Sequence, residues 1–195
     1  QLSGESRQAI SYSLAALSKV LASPYIDYIG GVPLHTYRNL DGYDSFVSTI
    51  DSVIASGKLY YNENELFSWL HPIHWNVPYD KDDPRGGAIS MHRRVMANDA
   101  VHGALLGWFG LADSWHNDEK LLEDFSLQMK AYKESYQFDR TPVSEAALVT
   151  DDTSFTWVSA YTTMPFHNNV ELMYEAAKTG RPVSVWIMEH LDRLP

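Results

Sequence analysis

The sequence lacks cysteine altogether and is poor in basic residues. With no cysteine among 195 residues, the chain cannot form disulfides, thiolate zinc sites, iron–sulfur clusters or a cysteine nucleophile. Fifteen Lys and Arg against 25 Asp and Glu give a formal net charge of −10, which disfavours binding to a phosphate backbone or an anionic membrane surface. We therefore expect no nucleic-acid partner, and the compartment stays undecided because secreted proteins can also lack cysteine.

Long apolar runs and phosphate-binding motifs are also absent. No stretch approaches the roughly 18 apolar residues of a membrane helix, so we expect no membrane partner. Gly30-Gly31 and Gly86-Gly87 are not followed by Gly-Lys-Ser/Thr, and there is no Gly-x-Ser-x-Gly elbow. The first residues, 1–8, begin without Met and show no signal-peptide pattern, so we expect the sequence to come from inside a longer chain.

The composition and periodicity predict a folded α/β chain. Hydrophobic residues make up 45% and aromatic residues 13%, which is typical of a globular protein with a real core. In the first part of the chain, apolar spacing predicts helices at Ser11–Leu21, Tyr43–Ser56, Ile89–His102 and Asp118–Tyr136, and strands at Tyr25–Val32, Lys58–Tyr61 and Ala104–Leu111. A long polar and aromatic loop, Phe67–Gly87, interrupts them. This alternation predicts about three βα units of a larger parallel barrel or sheet.

The pattern changes after residue 138, at Asp139–Pro142. Glu145–Asp152 and Pro182–Met188 are predicted strands, and His167–Lys178 is the helix between them. They predict one βαβ unit of a doubly wound domain over residues 139–195. The first of these strands ends in two acidic residues that would repel a phosphate, so we expect no flavin or nucleotide cofactor.

Several short motifs follow one another in a distinctive order. They are Ser23–Ile29, Tyr37-Arg38, Asp51–Val53, Gly57–Leu59, Asn62–Glu65, His102–Ala104 and Gly107–Phe109. Their order and spacing resemble the sixth to eighth strands of β-galactosidase-like glycoside hydrolases of family 42 and their barrel relatives. Val143–Leu194 resembles the start of the flavodoxin-like middle domain of that family. The resemblance implies the C-terminal portion of a (β/α)8 barrel over residues 1–138, the start of a flavodoxin-like domain over 139–195, and a homo-oligomer, since the middle domain supports trimers in family 42.

The resemblance also implies a retaining glycosidase that cleaves β-galactosides or a related oligo- or polysaccharide. Such enzymes use two carboxyl groups about 5–5.5 Å apart, a nucleophile and a general acid. Glu63 takes the place of the nucleophile after the seventh strand, and Glu65 is the reserve candidate. Relatives often have Asp followed by Arg-Thr near this point, whereas Glu65 is followed by Leu66-Phe67. The general acid of the family follows the fourth strand, and we expect it outside these 195 residues.

Other side chains are candidates for substrate contacts. Tyr37 could donate a hydrogen bond to the nucleophile, and Arg38 could keep it ionised through its charge. Aromatic faces suit the weakly positive C–H groups of sugars, which makes candidates of the four tryptophans Trp69, Trp75, Trp108 and Trp115. Taken without the resemblance, each of these residues could equally serve in packing or at the surface.

Metal binding and non-enzymatic functions complete the alternatives. His71 and His74 are three residues apart, but an intervening proline precludes a regular helical pair, and no acidic loop has EF-hand spacing. We expect no metal site. Besides the enzyme, the sequence leaves open a carbohydrate-binding or structural relative that has lost catalysis, and an interaction domain in which residues 139–195 serve assembly.

Overall fold

The computed structural model describes residues 15–33, 38–43, 46–71, 82–110, 115–158 and 171–195. The helices are α1 (Leu17–Leu21), α2 (Ile50–Ala55), α3 (Pro84–His102), α4 (Glu119–Ser135) and α5 (Leu172–Lys178). The strands are β1 (Tyr28–Gly31), β2 (Leu59–Asn64), β3 (Leu105–Trp108), β4 (Ala146–Thr150) and β5 (Val183–Ile187). Two short 3-10 segments occupy Ser154–Thr156 and Met188–Arg193. Helices alternate with parallel strands, which confirms the predicted α/β class.

Strands β1, β2 and β3 form one parallel sheet in that order. Tyr61 is in register with Gly30 of β1 and with Leu105 of β3, and Glu63 is in register with Gly107. Because side chains alternate along a strand and residues in register share a face, the two faces can be assigned. The open face carries Tyr28, Gly30, Leu59, Tyr61, Glu63, Leu105 and Gly107, and the helix-covered face carries Ile29, Gly31, Tyr60, Asn62, Asn64, Leu106 and Trp108.

The helices α2, α3 and α4 all pack on the helix-covered face. Ile50 and Val53 of α2 share a buried cluster with Ile29 and Tyr60, and the core continues through Leu17, Leu21, Phe46, Ala104 and Ile187. The open face differs sharply, since Tyr28 and Leu59 at its edge are 63% and 50% exposed. An all-parallel sheet is normally covered on both faces, whereas the helices that the described ranges contain cover only one face of this sheet.

Local sequence signals explain where the long helices begin and end. The side chain of Asp83 accepts a hydrogen bond from the Gly86 amide, and Pro84 occupies the first turn of α3, a position that tolerates proline. The helix therefore starts five residues before its predicted start at Ile89. Asp118 likewise accepts from the Leu121 amide at the start of α4. At the end of α3, Gly103 takes a left-handed conformation with a φ of 71°, which glycine adopts without strain.

The second sheet consists of β4 and β5, paired in parallel. The edge of β5 contacts α2 directly. The Val185 amide donates to Asp51 Oδ2 at 2.7 Å, and the Ile187 amide donates to Ser52 Oγ at 2.9 Å. Side chains of a helix thus satisfy backbone amides that would otherwise lie unpaired at a sheet edge.

Candidate active site

Glu63 lies near the carboxyl end of β2, on the open face of the first sheet. The strand runs to Asn64, three residues beyond the predicted end at Tyr61, so Glu63 belongs to the strand rather than to the loop after it. Its side chain is half-buried. It stands beside Gly107 in the neighbouring strand, and a regular strand holds its backbone in one conformation.

Tyr61 lies on the same face, two residues before Glu63. A Cβ atom added to Gly107 would lie 2.5 Å from Tyr61 Cε2 and 2.6 Å from its hydroxyl oxygen, so the ring lies directly over this glycine. On the other side, a Cβ on Gly30 would lie 3.4 Å from Tyr61 Cδ1. The two glycines make room for an aromatic ring that spreads across the sheet beside Glu63.

Sequence reasoning missed Tyr61 as a site residue. The signal that would find it is the pairing of an aromatic residue with glycines in the strands on both sides, an arrangement in which the ring covers the bare backbone. That signal becomes readable only when the strand register is known.

On the helix-covered face, the residues that flank Glu63 are held by one buried carboxylate. Asn62 Nδ2 donates to Asp99 Oδ1 at 2.7 Å, and Asn64 Nδ2 donates to Asp99 Oδ2 at 2.9 Å. All three side chains are buried. Burial, and then the charge of Asp99, raise the pKa of the neighbouring Tyr60 phenol. These contacts explain why two asparagines, which are poor strand formers, extend β2 past Glu63.

Arg38 and Glu65 contact each other, close to the end of β2. Arg38 Nη1 donates to the Glu65 carbonyl and lies 4.0 Å from Glu65 Oε2. The guanidinium also lies 4.8 Å from the centre of the Phe67 ring. Arg94 Nη2 donates to the Arg38 carbonyl at 3.1 Å, which fixes the segment. The structure thus brings Arg38 to the reserve carboxylate Glu65.

The three candidate tryptophans that the structure describes, Trp69, Trp108 and Trp115, lie in packed surroundings and not beside Glu63. Trp108 is on the helix-covered face, where its ring stacks on Phe125 of α4 with 4.5 Å between centroids. Trp115 is only 3% exposed and packs against Phe67. Trp69 is half-buried, with the Arg85 guanidinium 5.6 Å from its ring. Tyr37 and Trp75 lie outside the described residues.

Three histidines lie in an aromatic cluster next to the end of the sheet. His71 packs against Phe67 and Trp115, each with 4.3 Å between ring centroids. His92 and His116 have ring centroids 5.2 Å apart. Burial, and then the charge of His116, lower the pKa of His92 to about 3, and burial also lowers the pKa of His116. His74 lies outside the described residues.

One group of three carboxylates near one another occurs in the part of the chain that the structure describes. An oxygen of each of Asp151, Asp152 and Glu189 lies within 4.8 Å of the others. Asp151 Oδ1 accepts from the amide and hydroxyl of Thr153 at 3.1 and 2.7 Å. Hydrogen bonds from Ser154 and Thr153 lower the pKa of Asp151 to about 2. Asp152 Oδ2 accepts from the amide and hydroxyl of Ser18 at 2.8 and 3.0 Å. These contacts give two of the carboxylates structural roles, and we assign no ion to the group.

Comparisons with known protein families, with curated proteins and with solved structures found no match. Within the described ranges, none of the helices has the length and apolar character needed to cross a membrane.

The geometry described above defines the candidate active site. It consists of Glu63, Tyr61 and Gly107 on the open face, supported by the buried side chains of Asn62, Asn64 and Asp99 on the other face.

Proposed function

We propose that the protein is a retaining glycoside hydrolase of the β-galactosidase type, acting on β-linked galactosides or related oligo- or polysaccharides. Glu63 is its nucleophile. The observation that carries the proposal is the position of Glu63 near the carboxyl end of a parallel strand, on the open face, with both neighbouring residues anchored from behind. Catalytic side chains on regular, well-supported elements keep the precise geometry that chemistry needs.

The topology of the first sheet supports a barrel as the setting. Its strands follow one another in chain order, and α2, α3 and α4 lie on the same face. When parallel strands follow one another in chain order and every crossover has the same hand, all the helices lie on one side of the sheet. A (β/α)8 barrel requires this arrangement. In a doubly wound sheet the strand order reverses, and helices lie on both sides. The proposal therefore takes residues 1–138 as the C-terminal portion of a barrel whose interior is the open face.

The second sheet fits the start of a flavodoxin-like domain over residues 139–195. Its two parallel strands are joined through a segment that contains α5, which is the βαβ connection of such domains. Assembly into a homo-oligomer through this region belongs to the same proposal.

The proposed reaction uses groups of this chain in defined roles. Glu63 attacks the anomeric carbon as the leaving-group oxygen takes a proton from a general acid, and the glycosyl ester is then hydrolysed by water. The second carboxyl group is not assigned among the described residues. Tyr61 offers its ring face to sugar C–H groups, and it replaces the tryptophans in the aromatic role because its ring lies beside Glu63.

Covalent trapping tests the proposal directly. A 2-fluoro galactoside with a good leaving group should label the full-length protein. Fluorine destabilises the oxocarbenium-like transition states of both steps, whereas the good leaving group speeds only the formation of the ester, so the ester accumulates. Peptide mapping by mass spectrometry should place the adduct on Glu63. Turnover without an adduct on any peptide from Leu59 to Trp69 would contradict the assignment.

A carbohydrate-binding relative without catalysis is the second candidate function. It is favoured by Tyr61, whose ring can hold a sugar without any attack by a carboxylate, and by the engagement of Glu65 with Arg38. This candidate predicts that a panel of glycosides gives neither turnover nor label, while calorimetry still detects binding of a non-hydrolysable thiogalactoside.

Gly107→Ala tests the aromatic contact separately from the chemistry. The new methyl group would overlap Tyr61 Cε2 at 2.5 Å, so the ring must move away from its place beside Glu63. We expect affinity for a non-hydrolysable thiogalactoside, measured by calorimetry, to fall about 3- to 10-fold, the size of one lost aromatic contact.

Gly110→Ala is the matched control, since among the described residues its Cβ would meet His116 alone, at an ordinary 3.8 Å. It should bind like the parent protein. If Gly107→Ala also binds like the parent protein, Tyr61 has no part in holding the sugar.

A further inference from the structure

Asp99 is a fully buried residue of α3, and both of its carboxylate oxygens are turned to β2. Asn62 and Asn64 each donate one side-chain hydrogen bond to it, at 2.7 and 2.9 Å. These two residues immediately precede and follow Glu63. The three side chains Asn62, Asn64 and Asp99 are called the amide clamp below.

A buried carboxylate that joins a strand to a helix carries a large desolvation penalty. Its transfer out of water costs several kcal/mol, and apolar side chains of similar volume often give the same or greater stability. Apolar contacts, however, have no direction. The clamp uses one oxygen for each amide, so it fixes the orientation of both asparagines and with it the backbone on either side of Glu63.

Another of the buried acids among the described residues lacks this connection. Asp124 of α4 accepts from Arg93 Nε at 2.8 Å and from Gln128 Nε2 at 2.6 Å, and its side chain is almost fully buried. Both of these partners lie on helices. Asp124 thus matches Asp99 in burial and also accepts hydrogen bonds from two side chains, one of them the Arg93 guanidinium, but neither donor belongs to β2.

We propose that Asp99 is a positioning residue for Glu63, which through Asn62 and Asn64 sets the direction in which the Glu63 carboxylate leaves the strand. The inference rests on the proposed role of Glu63 as the nucleophile. A nucleophile displaced by about 1 Å can lose about 100-fold in rate without loss of substrate binding. The clamp would therefore act on turnover and leave ground-state affinity nearly unchanged.

Asp99→Asn in the full-length protein tests the clamp. The substitution keeps the shape but replaces an acceptor oxygen with a donor, so one asparagine amide loses its partner. We expect kcat on an aryl β-galactoside to fall about 10- to 100-fold, KM to change less than about threefold, and the rate of labelling by the 2-fluoro sugar to fall with kcat. Asp124→Asn, the matched control, should keep kcat within about twofold even if it unfolds more easily.

The double variant Asn64→Asp/Asp99→Asn supplies a rescue. It exchanges the carboxylate and the amide across one hydrogen bond and should recover at least about tenfold of the lost kcat. If Asp99→Asn alone does not fold, Asn62→Ala and Asn64→Ala each remove one arm of the clamp. Either variant should lower kcat at nearly constant KM.

The outcomes separate this inference from the proposed function. If Glu63→Gln abolishes turnover but Asp99→Asn, or the two alanine variants in its place, keep kcat within about twofold, the positioning role is overturned and the function stands. A loss that appears equally in Asp124→Asn, or that the double variant does not repair, shows a role in stability alone and also overturns it. If Glu63→Gln retains turnover, both proposals fail.

Discussion

Glu63→Gln should lower kcat by about a thousandfold or more, because an amide cannot attack the anomeric carbon or form the glycosyl ester. The substitution preserves size and hydrogen-bonding capacity, so KM should stay nearly constant. A loss confined to kcat is the mark of a group whose contribution is made in the transition state. Steady-state kinetics on an aryl β-galactoside, with thermal unfolding to confirm an intact fold, provide the measurement.

Glu65→Gln is the natural control for this experiment. Glu65 is only two residues away and has the same side chain, but its carbonyl and carboxylate contact Arg38. Gln keeps the size and the hydrogen-bonding capacity of the side chain, and the ion pair that it removes is a long one of 4.0 Å. We therefore expect kcat to fall less than about tenfold. A larger loss at Glu65 than at Glu63 would exchange the roles of the two carboxylates.

Acid should destabilise the protein through His92, and this is the largest stability effect that we expect. The ring is fully buried, and neither of its nitrogens has a hydrogen-bond partner among the described residues. Its pKa is lowered from 6.5 to about 3 in the folded protein. Below pH 6.5 the His92 side chain is protonated in the unfolded chain but stays neutral in the folded protein. The contribution of His92 to the free energy of unfolding is therefore fully present above pH 6.5 and declines as the pH falls. The expected loss is about 1.4 kcal/mol per pH unit, or about 4–5 kcal/mol by pH 3.

His92→Leu should remove this dependence. The free energy of unfolding, measured by urea denaturation at several pH values between 7.5 and 4.5, should fall more steeply in the parent protein than in the variant. The difference should grow by about 2.7 kcal/mol between pH 7.5 and 4.5. Leu121→Ala, a substitution in the buried side of α4, is the control and should lower the free energy by the same amount at every pH. Parallel curves for the parent protein and His92→Leu would show that the buried ring does not resist protonation.

Much of the backbone could be predicted from periodicity, because burial of one helix or sheet face leaves a repeating trace in the sequence. The alternation of helices and strands belongs to this class. The length of β2 does not. Two of its last three residues are the asparagines Asn62 and Asn64, whose propensity predicts a loop. Only their contacts with Asp99, 35 residues beyond Asn64, make a strand favourable here.

The site was less accessible to sequence reasoning than the fold. Glu63 is a candidate because of a family resemblance, whereas the position of Tyr61 depends on which residue of each neighbouring strand stands opposite it. A shift of β2 by one residue would turn Tyr61 to the helix-covered face, and a shift of β3 by one residue would bring Trp108 to the open face. No feature of Trp108 alone distinguishes a ring that meets a sugar from a ring that stacks on Phe125.

The side chains of Asp51 and Ser52 accept hydrogen bonds from the outer edge of β5, and these contacts limit how the second sheet can grow. An exposed strand edge is a template for any other extended chain, and such edges are a common start of fibrils. Here the amides of Val185 and Ile187 already donate hydrogen bonds to side chains of α2. A helix offers no free backbone edge to which another strand could be added. A further strand can therefore be added only alongside β4, so this sheet can extend in a single direction, away from α2.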